Sequence, residues 1–170
     1  MLTTIRFISL NLLMLFSLAL SANAYAADVA KVGELRPSFS FESLEGEAIN
    51  IDDYNGKVII LNFWATWCPP CIHEIPEFIE LQEEYGEKGL QFIGVAIDDK
   101  SAVEAFADGV GINYPNVATE EEGVALAQRY GNSFGVLPYT VFIGRDGKVA
   151  TIVKGGVSKA QVIKILDQLL

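Results

Sequence analysis

Histidine occurs once, cysteine twice and methionine twice among the 170 residues, and lysine and arginine together number 12 against 22 aspartates and glutamates. Each scarcity excludes something. Two cysteines cannot build a framework of structural disulfides, and this length can bury the core of one ordinary domain without one. One imidazole and two thiols fall short of the four ligands of a closed zinc site. The formal net charge of −10 gives a surface that repels polyphosphate, so nucleic acid is not an expected partner. No flavin or nicotinamide signature appears, and no cofactor or metal is expected. From Val32 onward there is no repeat, low-complexity stretch or long linker, which implies one compact domain.

The first residues differ from the rest. Met1 and Arg6 supply positive charge, Phe7 to Leu20 form an apolar run, and Ser21-Ala22-Asn23-Ala24 ends in small residues. The run is short for a bilayer span of roughly 20 residues, so residues 1–24 read as a secretory signal peptide cut after Ala24 or Ala26. The alternative is an uncleaved N-terminal anchor. No cysteine lies near Ala24 to accept a lipid. Either way the domain is expected in the periplasm or another space outside the cytoplasm, soluble after cleavage or tethered, where disulfides persist.

The remaining chain alternates strand and helix patterns. Ser38 to Glu42 and Glu47 to Ile51 flank Glu45-Gly46 and suggest a small β-hairpin. Val58 to Trp64 (VIILNFW) and Leu90 to Ile97 (LQFIGVAI) are nearly continuous apolar runs, as expected of strands covered on both faces. Pro69 to Tyr85 carries apolar residues at helical spacing, with Pro76 predicted to kink it. Ser101 with Glu104, and Thr119 with Glu122, have capping-box spacing and predict helices near 102–109 and 120–130. Tyr139 to Gly144 and Lys148 to Val153 flank Asp146-Gly147, a hairpin signal, and Ser158 opens a last helix. Together these predict an α/β fold, a mixed central sheet flanked by helices, with chemistry beyond the carboxyl ends of the strands.

Both cysteines fall at such an end, in FWATWCPPC, residues 63–71. Pro69 disfavours helical geometry at Cys68 and suits a first helical position. Cys68 is thus expected at a helix N-terminus, partly exposed, with Cys71 one turn in and more buried. A helix start stabilises a thiolate, which makes Cys68 the candidate nucleophile and Cys71 the resolving thiol of a disulfide exchange. Trp67 reads as a flat cover that also meets partners, whereas Phe63 and Trp64 read as core.

W-C-x-x-C after a buried strand, with Pro76 five residues past the second cysteine, resembles the thioredoxin superfamily. LNFWATWCPPC, Ile97-Asp98, Tyr114-Pro115 and VLPYTVFIGRDGKV are similar to its exported TlpA/ResA-like branch, with a redoxin or AhpC/TSA-like domain over residues 33–170. That branch includes periplasmic reductants of cytochrome c maturation. The resemblance implies a thioredoxin-like fold in which Asp98 to Thr119 belongs to an inserted αβ segment. It also implies a redox-active Cys68–Cys71 disulfide and a cis Leu137-Pro138 beside it for partner binding. Protein thiols and disulfides are the implied partners, with apocytochrome c among them and a membrane protein as electron donor.

The prolines bear on the direction of electron flow. A thiolate at Cys68 would draw on N–H groups of the first helical turn, but Pro69 and Pro70 have none, leaving mainly Cys71 to donate. The helix dipole alone contributes about 0.3–1 kcal/mol. Thioredoxin, at about −270 mV, and the oxidant DsbA, at about −120 mV, differ by roughly 7 kcal/mol, and the oxidant reaches its potential by stabilising the reduced form. A weakly stabilised thiolate predicts a reductant. The alternatives are a disulfide oxidase or isomerase and, in another class, a Cu(I)-binding or delivery module using the same thiols. A peroxidase is disfavoured because the proline and threonine pattern expected upstream of a peroxidatic cysteine is missing.

Where thioredoxins carry a buried acid, this chain has Asn62; Glu74, three residues after Cys71, resembles the acid found at that spacing in the ResA-like branch. Glu74 is therefore a candidate for deprotonating Cys71, against the plainer reading of a surface carboxylate. His73 reads as a solvated helix residue rather than a ligand, and Glu120-Glu121-Glu122 as the charged first turn of a helix.

Overall fold

The buried run VIILNFW becomes β3 (Val58–Trp64), the centre of a five-stranded sheet. The computed structural model describes residues 29–170, so the signal-peptide reading of residues 1–24 lies outside them. Before β3 come β1 (Ser40–Glu42) and β2 (Ala48–Asn50), an antiparallel pair forming its own small sheet. After it follow α1 (Pro69–Tyr85), β4 (Leu90–Ala96), α2 (Lys100–Val110), β5 (Asn116–Ala118), α3 (Glu121–Arg129), β6 (Tyr139–Ile143), β7 (Val149–Lys154) and α4 (Lys159–Leu169). The sheet order is β5-β4-β3-β6-β7, parallel on the β4 and β5 side and antiparallel from β3 to β6 to β7.

Alternation along β3 sorts its side chains between two cores, because successive residues point to opposite faces. Ile59, Leu61 and Phe63 join one core with Ile93, Tyr130, Tyr139 and Val141. Val58 and Ile60 join another with Phe78, Leu81, Phe92 and Leu166, on the face covered by α1 and α4. Trp64, on the same face, packs with Cys68, Cys71 and Ile75. Asn62 is the one polar residue of the strand, and it is buried.

Several element starts differ from those expected. α2 begins at Lys100, capped by Asp99, whose carboxylate accepts from the N–H groups of Ser101 and Ala102 at 3.0 and 3.2 Å. Ser101 therefore lies inside the helix, because an ionised acceptor two residues earlier already serves the free amides. Thr119 donates its hydroxyl to the Glu122 carboxylate, and α3 starts at Glu121 with no side-chain cap. Glu120, in the cap position of α3, has helical dihedrals, φ −82° and ψ −71°, rather than the extended backbone of a regular N-cap. α1 passes through Pro76 as one continuous helix. At Ser158 a capping box does form, with Gln161.

The segment after Asp98 supplies α2 and then β5, which pairs in parallel with the edge of β4, Asn116 beside Gly94. A side chain on Gly94 would stand 1.9 Å from Asn116 Oδ1. Without one, Asn116 reaches over the strand, and its Oδ1 accepts from the Trp64 indole N–H at 3.1 Å while its Nδ2 donates to the Tyr114 carbonyl at 3.0 Å. Its backbone carbonyl also takes the Leu44 N–H at 2.9 Å, which ties the N-terminal hairpin to the same point. Gly94→Ala is expected to lower stability by roughly 2–4 kcal/mol in urea unfolding, through overpacking and a lost buried hydrogen bond. Gly109→Ala, in α2 with open space around its added Cβ, is expected to leave stability equal or slightly higher.

Candidate functional site

β3 passes through Ala65, Thr66 and Trp67 into α1. The turn is fixed at Thr66, whose N–H and hydroxyl both donate to Asp98 Oδ2, at 2.8 and 2.5 Å, just past the end of β4. Cys68 then caps α1 with extended backbone, φ −99° and ψ 101°, and Pro69 and Pro70 occupy the first helical positions. The N–H groups of Cys71 and Ile72 donate to the Cys68 carbonyl at 3.0 and 3.2 Å. Thus the Cys71 amide, the one donor expected to remain for the Cys68 sulfur, is already engaged.

Cys68 and Cys71 are joined in a disulfide, with Cα atoms 5.3 Å apart. Cys71 is fully buried, and Cys68 is only 4 % exposed instead of partly exposed. The bond holds its sulfur to Cys71 within the cluster of Trp64, Ala65, Ile75 and Leu137, so the oxidised pair shares one apolar setting. The Leu137-Pro138 peptide is cis, and the Pro138 carbonyl accepts from the Gly155 N–H at 2.8 Å. Trp67 is 65 % exposed. Its indole borders an open cleft of about 560 Å³ completed by Ile97, Asp98, Glu120, Glu121 and Val124.

Glu74 is no surface carboxylate: it is buried beneath this turn. Its Oε1 accepts from Asn62 Nδ2 at 3.0 Å and its Oε2 from the Val157 N–H at 2.9 Å. Asn62 Nδ2 also donates to Thr140 Oγ1 at 3.0 Å, while Asn62 Oδ1 has no partner among the described residues. Burial pushes the Glu74 acid up to about 7, against the two hydrogen bonds, with the Glu77 charge adding to the rise. Asn62 itself carries no acid, but it holds the carboxyl of Glu74 at its side chain. His73 is exposed on α1, and among the described residues no group of three or more histidine, cysteine, aspartate or glutamate side chains is placed to hold a metal. Thr66 was missed by sequence reasoning, and the only trace of its partner there was Ile97-Asp98 as part of a family pattern.

Residues 32–152 match the model of the AhpC/TSA family. The chain belongs to that family. It is 34 % identical over 164 residues to the thiol-disulfide oxidoreductase ResA of Halalkalibacterium halodurans, covering 93 % of this chain and 91 % of the relative. Among solved structures, a thiol:disulfide interchange protein of the thioredoxin family from Chlorobium tepidum superposes with a TM-score of 0.74 at 31 % identity, over 82 % of this chain and 97 % of that one. A secreted thiol-disulfide isomerase from Corynebacterium glutamicum does so with a TM-score of 0.71 at 25 % identity, over 80 % and 84 %. The fold is thioredoxin-like, and this member of the family is a thiol-disulfide oxidoreductase with protein thiols and disulfides as its substrates.

A buried acid with a raised pKa favours the folded state in its neutral form. That contribution is complete below the unfolded value of 4.5 and is lost as pH rises through about 7. The oxidised protein is therefore expected to lose on the order of 3 kcal/mol between pH 5 and 8 from this group. Glu74→Gln removes that slope: Asn62 can turn its unpartnered oxygen toward the new amide, and thermal melts of the variant should vary less with pH than those of the parent across this window. Equal slopes would show that Glu74 does not carry the effect.

Proposed function

We propose that this protein is an exported reductant of disulfides in other polypeptides, with Cys68 as the attacking thiolate and Cys71 as the resolving thiol. The carrying observation is the donor-poor helix start: Pro69 and Pro70 have no N–H, and that of Cys71 is held by the Cys68 carbonyl. Little then favours the thiolate over the disulfide, and the pair gives up electrons readily. Cys68 attacks one sulfur of the partner disulfide and forms a mixed disulfide, and the other partner sulfur leaves as thiolate. Cys71 then attacks Cys68, releases the second partner thiolate and closes the Cys68–Cys71 bond. The partner gains two electrons and, with two protons, becomes a dithiol. A second dithiol protein, at the membrane, returns the pair to its reduced form.

Glu74, one helical turn beyond Cys71, takes the Cys71 proton before the resolving attack; its acid at about 7 suits that exchange near neutral pH. Trp67, Leu137 and Pro138 receive the partner chain, whose extended backbone pairs beside the cis peptide. Residues 1–24 direct the chain out of the cytoplasm as a cleaved signal peptide, and the domain spans 33–170. Apocytochrome c, with its pair of cysteines, is the substrate this reading favours.

Equilibration against a thiol–disulfide buffer should give a potential of about −270 mV rather than about −120 mV; a value close to the latter would assign an oxidase instead. Cys71→Ser, unable to resolve, should accumulate mixed disulfides with its partners, separable on non-reducing gels and absent from Cys68→Ser. The exchange rate of the parent should climb as pH rises through about 7. In Glu74→Gln that climb should move to higher pH, and an unshifted profile would remove Glu74 from the proton path.

A further inference from the structure

Phe134 is 92 % exposed, more than any other large apolar side chain among the described residues. The loop that carries it, residues 131–136 between α3 and β6, is built to hold it there. Asn132 is buried, and its side chain closes the loop from within: Nδ2 donates to the Val136 carbonyl at 2.8 Å, and Oδ1 accepts from the Val136 N–H at 3.0 Å. The Asn132 N–H is itself anchored to the Ala127 carbonyl at 2.9 Å, at the end of α3. Gly131 and Gly135 take φ of 90° and 63°, the left-handed region that only glycine enters without strain. One amide side chain thus does the work of a strand pair across the loop and leaves Phe134 at the tip.

This loop leads directly into Leu137 and the cis Pro138, and Leu137 packs in the same cluster as Cys68 and Cys71. The other approach to that cluster, the turn before Cys68, exposes Trp67. Two loops that converge on the disulfide therefore each hold an aromatic ring in water. A polypeptide whose sulfur reaches Cys68 must lay its neighbouring residues over these loops, since an extended chain advances roughly 3.3 Å per residue. A small disulfide makes no such demand.

We propose that Phe134 is a specificity-determining docking contact for the partner polypeptide, and that the segment it receives is extended and carries an apolar or aromatic side chain within a few residues of the reacting cysteine. This rests on the reductant reading above and adds to it which disulfides are preferred. Burial of the two exposed rings against such a side chain supplies affinity that a polar flank cannot.

The test uses the reduced protein and three disulfides: a peptide with one internal disulfide flanked by leucine and phenylalanine, the same peptide with serine at those positions, and 5,5′-dithiobis(2-nitrobenzoate), which has no flanks. The parent should reduce the apolar-flanked peptide about tenfold faster than the serine-flanked one. In Phe134→Ser, whose side chain contributes nothing to the core, that ratio should fall toward one, with the redox potential and melting temperature retained. A parent that treats both peptides alike, or a Phe134→Ser protein that keeps the preference, overturns the proposal. So does sedimentation of the parent as a dimer and of Phe134→Ser as a monomer, which would give this face to a second copy of the chain. A parent that reduces none of the three disulfides fails earlier, at the reductant reading, and takes this inference with it.

Discussion

A carboxyl group enclosed by protein fixes the helix on which the chemistry stands. Glu74 joins α1 to β3 through Asn62 and to the segment before α4 through the Val157 amide, and Asn62 extends the link to Thr140 on β6. Burying an ionisable group is costly unless its oxygens are matched, and a buried network with missing members is worse than an apolar one. Here both carboxyl oxygens are matched, so the first turns of α1 have one seat on the sheet. The unmatched atom is Asn62 Oδ1. The amide presents its donor side to Glu74 and Thr140 and leaves its acceptor unused.

From that seat the remaining geometry follows. The helix start receives the chain from β3 over a turn clasped by Asp98 at the end of β4, and the cis Pro138 enters from β6 on the other side of the same strand. The disulfide thus lies where two neighbours of the central strand converge. The inserted segment meets this junction at its first residue, Asp98, and packs Val103 into the apolar cluster of the cysteines. It reaches the core through Asn116, which bonds the Trp64 indole across the bare backbone of Gly94 and receives the hairpin at Leu44. The segment added at the sheet edge therefore braces both the last residue of β3, through Asn116, and the turn that carries the cysteines, through Asp98.

Much of this was legible in the sequence, for local reasons. VIILNFW and LQFIGVAI announce covered strands by composition, CPPC places its prolines where a helix begins, and Asp146-Gly147 marks a hairpin that forms. What was not legible depends on residues distant along the chain or on competition between near neighbours. Asp99 and Ser101 both have capping chemistry, and only the backbone path decides that the carboxylate takes the amides. The exposure expected for Cys68 followed from its place at a helix start, whereas its burial follows from the bond to Cys71 and the packing of Leu137. Glu74 was readable as a candidate by spacing from Cys71, but its enclosure depends on Asn62 and Val157, in two other parts of the fold. The Asn132 clasp on Val136 left no periodic signal at all.

The chain's two tryptophans occupy opposite environments within one turn of each other in sequence. Trp64 is wholly enclosed and bonded to Asn116, while Trp67 stands in water next to a half of the disulfide. A disulfide quenches an adjacent excited indole by accepting an electron from it, and a dithiol does so far less. Trp64 packs in the apolar cluster that holds both cysteines and Trp67 directly precedes Cys68, so the emission of both indoles brightens when the bond opens and the molecule carries an optical gauge of its own oxidation state.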